Sequence, residues 1–226
     1  MIKSILATDL EFEGGIHFDQ PYIFVSLGCN CWQADALRWH SLRNAAFPFD
    51  WLFTLDADGL IKCLDEKFKY FSEESCFLRY GNTHLENTYY NFKFIHEWPY
   101  PDARDSKERY EGQLEFIKKK YAKRIARFDS LRFFKGKVFF MRFFQIDQNY
   151  KDKWGWNTQN AQNLNNALKR FFPELDFTLV IVSYTDKNVS EIGIIDGVKE
   201  YKIPELTADN FKAYGPMFME LVADFK

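Results

Sequence analysis

One cysteine in this sequence stands where a protein can turn a thiol into a nucleophile. Residues 22–27 are apolar and partly β-branched or aromatic, which predicts a buried strand. Gly28 permits a tight turn, and Asn30 is a suitable N-cap for a helix. Cys31 would then lie at the helix N-terminus, where backbone N–H groups and the helix dipole favour thiolate over thiol. The alternative is a buried structural cysteine at a crowded turn.

A cysteine nucleophile needs a base within hydrogen-bond reach and a third group that orients the base. His40 follows Cys31 on the same predicted helix, about 13 Å along its axis, which is too far. His84 falls in a predicted loop and is the reserve candidate. His96 ends a predicted strand and has an acidic neighbour, so it is the best candidate base. The alternative for His96 is an ordinary hydrogen-bonded histidine.

Three acidic residues could orient the base: Asp50, Glu97 and Asp147. Asp50 is the most informative, because its neighbours are apolar and an ionised carboxylate there needs a partner such as a histidine or an arginine. For acyl chemistry, the backbone N–H of Cys31 and the side chain of Asn30 could stabilise an oxyanion.

Four predicted strands end in polar or reactive side chains. They lie at residues 22–27, 91–98, 137–144 and 177–183. Their alternation with helices predicts an α/β layered domain with a mainly parallel central sheet flanked by helices. Ligands bind beyond the carboxyl ends of such strands, so we predict that Gly28, Asn30, Arg142 and Gln145 line a substrate site.

Composition narrows the functional classes. A chain of 226 residues suits one domain, so we treat 1–226 as a single α/β domain. The formal net charge of −2 predicts no nucleic-acid partner and no membrane surface partner.

The sequence has no N-terminal segment of signal-peptide form and no apolar run of about 18 residues, so we expect a soluble, cytoplasmic protein with reduced cysteines. Phosphate-loop, dinucleotide-binding and metal-helix motifs are missing, so we expect neither metal nor cofactor.

Several short motifs resemble those of a known family. They are Val25-Ser-Leu-Gly-Cys-Asn-Cys-Trp-Gln-Ala34, Leu37-Arg38, Leu42-Arg43 and Pro48-Phe-Asp-Trp-Leu52. The family is a bacterial one described as "putative papain-like cysteine peptidases" and is otherwise a domain of unknown function. Its pattern is S-L-G-x-x-C-x-x-A, then L-R twice, then P-F-D-W. Looser matches are Phe94-Ile-His96-Glu97 and Val138-Phe-Phe-Met-Arg142, and the resemblance covers about residues 22–185.

The resemblance implies that Cys31 is the family's cysteine and His96 its histidine. It also implies a papain-like α+β fold as the alternative to a mainly parallel sheet. The strand–Gly-x-Asn-Cys–helix segment is similar as well to capsule-polysaccharide acetyltransferases, which bind coenzyme A.

We therefore predict a Cys-dependent enzyme of acyl chemistry, a cysteine peptidase or hydrolase acting on a peptide or a glycan. Cys31 would be the nucleophile, His96 the base and Asp50 the orienting group. Three alternatives stay open. They are an acyltransferase acting on a polysaccharide with coenzyme A, a non-catalytic glycan- or peptide-binding domain, and an assembly or regulatory protein.

Overall fold

Two four-stranded sheets and five α-helices make up the part of the chain that the structure describes. The computed structural model describes residues 19–54, 57–80, 84–97, 107–143, 158–184, 194–203 and 211–225. The helices are α1 Trp32–Trp39, α2 Ala57–Asp65, α3 Lys107–Ser130, α4 Thr158–Phe171 and α5 Gly215–Leu221. The strands are β1 Tyr22–Ser26, β2 Phe53–Thr54, β3 Phe77–Tyr80, β4 His84–Asn87, β5 Phe92–Phe94, β6 Lys137–Phe143, β7 Phe177–Tyr184 and β8 Val198–Ile203.

The first sheet is parallel and has the order β1-β6-β7-β8. Val25 pairs with Phe140, and Phe140 pairs with Leu179 in the next strand. The prediction of an α/β fold with a mainly parallel sheet is therefore confirmed. Long apolar runs buried on both faces identify such strands from sequence alone.

The second sheet is antiparallel, with the order β2-β5-β4-β3, and it was not predicted. The strand expected at 91–98 is only β5, and it pairs with β2 and β4 rather than with the parallel strands. The segment 71–88, expected as a loop, contains the hairpin of β3 and β4. Strands of four residues or fewer carry too little alternation for their pairing to be read from the sequence.

The parallel sheet is the middle layer, and apolar side chains cover both of its faces. On one face Ile23 and Phe140 belong to a core shared with α2, α3, α4 and the antiparallel sheet. On the other face Phe24 and Met141 pack with α1 and α5. Phenylalanine fills much of this interior, and Phe128 alone lies within ring contact of Phe47, Phe49 and several further rings.

Within the described residues, the helices match the predicted segments. Those expected at 57–68, 105–130 and 157–172 are α2, α3 and α4. The closing helix, expected from 207 to 225, is α5 with a 3₁₀ turn on each side, and residues 207–210 lie outside the described part. None of the described helices has the length and apolar character needed to cross a membrane.

Candidate functional site

The segment from β1 to α1 presents Cys31 at a helix start, as predicted, but the N-cap is Cys31 itself and not Asn30. Cys31 occupies the N-cap position of α1, and its carbonyl oxygen accepts the first helical hydrogen bond from the Asp35 N–H at 3.0 Å. The Asn30 side-chain oxygen accepts the Trp32 N–H at 3.0 Å, which satisfies one of the unpaired donors of the first turn. Asn30 therefore serves the helix start, and a direct contact with substrate stays a prediction.

The turn before Cys31 has two consecutive left-handed residues. Gly28 has φ +77°, and Cys29 has φ +86°, which is unusual for a residue with a side chain. A Cβ on Gly28 would lie 2.6 Å from Thr54 Oγ1 and 3.0 Å from the Phe49 carbonyl oxygen. The Cys29 N–H donates to Thr54 Oγ1 at 2.9 Å. This geometry buries Cys29 and leaves Cys31 half-buried at the surface.

Arg142 lies beneath this turn and is fully buried. Its guanidinium donates to the Leu27 carbonyl oxygen at 2.9 Å and to both oxygens of Thr54. Arg142 therefore ties β6 to the turn and to β2, which begins the antiparallel sheet. A contact between Arg142 and substrate stays a prediction, and Gln145 lies outside the described residues.

Gln33 also holds the turn, although it was not among the predicted site residues. With its amide nitrogen toward the turn, Gln33 donates to the carbonyl oxygens of Gly28 at 3.2 Å and Asn30 at 3.3 Å. Its amide oxygen then accepts the Phe143 N–H at 2.7 Å. Because Gln33 is fully buried, these bonds fix the turn against the end of β6.

Asp50 has the cationic partner that its apolar surroundings demand. Its carboxylate accepts from Arg43 Nη2 at 2.8 Å, from Arg43 Nε at 3.3 Å and from the Phe47 N–H at 3.0 Å. Both side chains of this ion pair are only 3% exposed. The sequence predicted a histidine or an arginine as the partner, and the structure identifies Arg43.

Asp50 is connected to His96 through two other side chains. The Arg43 guanidinium carbon lies 5.4 Å from the ring centroid of Trp51. The Trp51 ring in turn meets the His96 ring edge to face, with centroids 5.8 Å apart. Asp50 thus holds Arg43, Arg43 packs on Trp51, and Trp51 packs on His96, while the orienting role of Asp50 stays a prediction.

His96 reaches α1 from the antiparallel sheet. It lies in the 3₁₀ turn Ile95–Glu97 directly after β5 and is half-buried. Burial raises the pKa of Asp35 on α1, and the charges of Arg38, His96 and Arg43 oppose that rise.

Asp35 is the acidic residue that the sequence reasoning missed. It follows Cys31 by one helical turn, so both side chains lie on the same face of α1. This spacing was the available signal, since an acidic residue four positions after a candidate nucleophile must lie next to it.

Burial opposes the Cys31 thiolate that the helix position was expected to favour. Burial raises the pKa of Cys31 to about 12, the Asp35 charge raises it further, and the Cys31 backbone hydrogen bond opposes both. Removal of the thiolate from water therefore outweighs the favourable field of the helix end.

Of the remaining candidates, His84 lies on the strand that packs against the His96 turn, whereas Cys63 and Cys76 belong to other elements. His84 is the first residue of β4, and its Nε2 lies 3.7 Å from Glu86 Oε2. Burial raises the pKa of Cys63, which lies in the core, whereas Cys76 is half-buried. Among the described residues, no group of three or more His, Cys, Asp and Glu side chains could hold a metal ion.

The fold and the site together define an α/β protein with a cysteine at a helix N-terminus and a histidine in the turn after β5, packed on Trp51. A family model described as "Putative papain-like cysteine peptidase (DUF1796)" matches residues 22–187. Because this match covers most of the chain, the chain belongs to that family. No curated protein and no solved structure matches the chain.

Proposed function

We propose that this protein hydrolyses acyl bonds through a thiol and is a cysteine peptidase in the broad sense, with Cys31 as nucleophile and His96 as base. The observation that carries the proposal is the position of Cys31 at the start of α1 in a chain whose residues 22–187 match a family described as "Putative papain-like cysteine peptidase (DUF1796)". The packing of the Trp51 ring on the ring of His96, the candidate base, supports it.

The neutral state of the thiol determines the order of events. With a pKa raised to about 12, Cys31 needs a base at the moment of attack. His96 takes the thiol proton while the Cys31 sulfur bonds the acyl carbon, and the protonated His96 then gives that proton to the leaving group. Water deprotonated by His96 attacks the acyl-enzyme, releasing the acid product and the free thiol.

The motif residues of the family support this site. Arg43 and Asp50 form the buried ion pair, and Trp51 lies between this pair and His96. Arg38 and Arg43 both act on the charge of Asp35. Arg43, Asp50 and Trp51, which come from the family's motifs, thus form one line of contacts that ends at the His96 ring, and a shared role in holding the base would explain it.

Acyl-enzyme formation tests the proposal without knowledge of the substrate. The protein is incubated with p-nitrophenyl acetate as a small activated acyl donor, and intact and peptide mass spectrometry locate the acetyl group. We expect one acetyl group on Cys31, its loss over time by hydrolysis, and no acetylation at this site in Cys31→Ala. Cys76→Ala is the matched control, because Cys76 is also half-buried, and it should acetylate at Cys31 like the wild type.

Two results would overturn the proposal. Acetylation of Cys76 with none on Cys31 would rule out Cys31 as the nucleophile. An acetyl-Cys31 that is never hydrolysed would rule out hydrolysis as the activity. Transfer of the acetyl group to an added glycan in preference to water would show that the activity is acyl transfer and not hydrolysis.

A further inference from the structure

We infer that Thr54 is a positioning residue, whose hydroxyl holds the candidate nucleophile Cys31 in place relative to the candidate base His96. The inference rests on the proposed function, because it takes these two residues as the reacting pair. Thr54 ends β2, the edge strand of the antiparallel sheet, and is fully buried. It lies where the turn before Cys31, the parallel sheet and the antiparallel sheet meet.

The hydroxyl of Thr54 makes every hydrogen bond that a hydroxyl can make. It accepts the Cys29 N–H at 2.9 Å, accepts from Arg142 Nη1 and donates to the Leu27 carbonyl oxygen at 3.3 Å. A hydroxyl offers one donor and two acceptor sites, so all of them are used. A Cβ on Gly28 would lie 2.6 Å from this oxygen, so the turn packs directly against it. The hydroxyl therefore fixes the turn that leads into α1.

The backbone of Thr54 belongs to the sheet that carries His96. Thr54 pairs with Phe92 of β5, and β5 continues directly into the 3₁₀ turn Ile95–Glu97, which contains His96. Trp51, three residues before Thr54, packs its ring on the ring of His96. The short segment from Trp51 to Thr54 therefore contacts the candidate base at one end and the turn of the candidate nucleophile at the other.

Arg142 fastens the same junction to the parallel sheet. Its guanidinium donates to the Leu27 carbonyl oxygen at 2.9 Å and to the Thr54 carbonyl oxygen, as well as to the hydroxyl. Arg142 and Thr54 are both fully buried, so a lost bond leaves a polar group without water to replace it. Gln33 also bonds the turn, but its amide oxygen accepts from Phe143 of β6 and not from the antiparallel sheet. Loss of the Thr54 hydroxyl should therefore loosen the turn relative to the candidate base.

A small shift of the turn is enough to affect the reaction. Proton transfer needs the two heavy atoms within about 3 Å of each other, and a displacement of about 1 Å can cost about 100-fold in rate. Without the hydroxyl, the buried Cys29 N–H loses this acceptor, and the turn moves to satisfy it. Because Trp51 still packs on His96, the Cys31 sulfur moves while the imidazole stays in place.

A double-mutant cycle between Thr54 and His96 tests the inference. Thr54→Val keeps the shape of the side chain and removes the hydroxyl, and His96→Asn removes the base. The rate at which iodoacetamide alkylates Cys31 at pH 7.5 is measured by peptide mass spectrometry in the wild type, both single variants and the double variant. We expect Thr54→Val to slow this reaction by about 10-fold when His96 is present and by less than about 2-fold in His96→Asn, because an effect that acts through the base ends with the base. Thr54→Ser retains the hydroxyl and should restore most of the wild-type rate.

Thr178→Val is the matched control, because it removes the hydroxyl of another buried threonine, near the end of the parallel sheet opposite to Cys31. It should leave the Cys31 rate unchanged. Cys63 is fully buried and reports on folding, since it stays unlabelled in a folded variant. If Thr54→Val labels at Cys63 and is thus unfolded, Arg142→Lys takes its place. That variant keeps the buried charge but loses the paired guanidinium contacts with Thr54, and it should give the same pattern.

Three outcomes would overturn the inference, and they separate it from the proposed function. If His96→Asn slows the alkylation of Cys31 and Thr54→Val does not, the hydroxyl has no positioning role and the proposed function stands. If Thr54→Val slows the reaction equally with and without His96, Thr54 acts on the turn alone and not on the pair. If His96→Asn leaves the Cys31 rate unchanged, the proposed function fails, and the inference fails with it.

Discussion

The indole ring of Trp51 meets the imidazole ring of His96 edge to face, with centroids 5.8 Å apart and ring planes at 74°. Trp51 is itself buried and carries the Arg43 guanidinium on its ring. The candidate base is thus held against an aromatic side chain that an ion pair supports. This relationship gives the Pro48-Phe-Asp-Trp motif a physical purpose, since it supplies both Asp50 and Trp51.

The first prediction concerns Trp51. Trp51→Leu removes the aromatic edge against His96, and we expect acetylation of Cys31 by p-nitrophenyl acetate to slow by about 10-fold, because a misplaced base costs rate steeply. Trp51→Phe keeps an aromatic ring at the position and should retain most of the wild-type rate. Equal losses in the two variants would mean that the ring contact does not position His96.

The second prediction concerns the buried ion pair of Arg43 and Asp50. Asp50→Asn leaves the Arg43 charge buried without its counter-ion, and we expect the free energy of unfolding to fall by about 3 to 5 kcal/mol. Urea denaturation measures this change. Asp65→Asn is the control, because it breaks the exposed pair of Asp65 and Arg170 and should cost less than about 1 kcal/mol. Equal costs for the two variants would contradict the assigned role of the buried pair.

The third prediction concerns the left-handed turn before the candidate nucleophile. Gly28→Ala forces a side chain into φ +77° and against Thr54 Oγ1 at 2.6 Å. We expect a loss of about 2 to 4 kcal/mol in the free energy of unfolding. Gly112→Ala, in the exposed part of α3 with no atom within 4 Å of the new methyl group, should instead stabilise the protein by up to about 1 kcal/mol. An unchanged free energy of unfolding in Gly28→Ala would contradict this prediction and show that the turn accommodates a side chain.

Much of the fold could be predicted from sequence because its central strands are long apolar runs. β1, β6 and β7 are each buried on both faces, and the helices between them require parallel pairing. The antiparallel sheet could not be predicted in the same way. β2 has only two residues, and β5 has three, so their partners depend on contacts made elsewhere in the fold.

The candidate site was predicted only in part, because some of its features are local in sequence and others depend on the tertiary fold. The turn and helix start around Cys31 are local, so glycine and asparagine preferences identify them. Arg43, the partner of Asp50, lies seven positions before it in the sequence, and their pairing depends on how the chain folds back. The pKa of Cys31 could not be inferred from a helix start, because burial by the surrounding fold decides it.

The most direct test of the account is whether His96 controls the reactivity of Cys31. A thiol with a pKa of about 12 has roughly one thiolate in 10⁵ molecules at pH 7, so alkylation by iodoacetamide depends on help from a base. The measurement is the rate of carboxamidomethylation of each cysteine at pH 7.5, by peptide mass spectrometry, in the wild type and in His96→Asn. The account predicts that Cys31 reacts at least about 10-fold faster in the wild type, while half-buried Cys76 reacts equally in both proteins. Equal rates at Cys31 in the two proteins would contradict the pairing of Cys31 with His96.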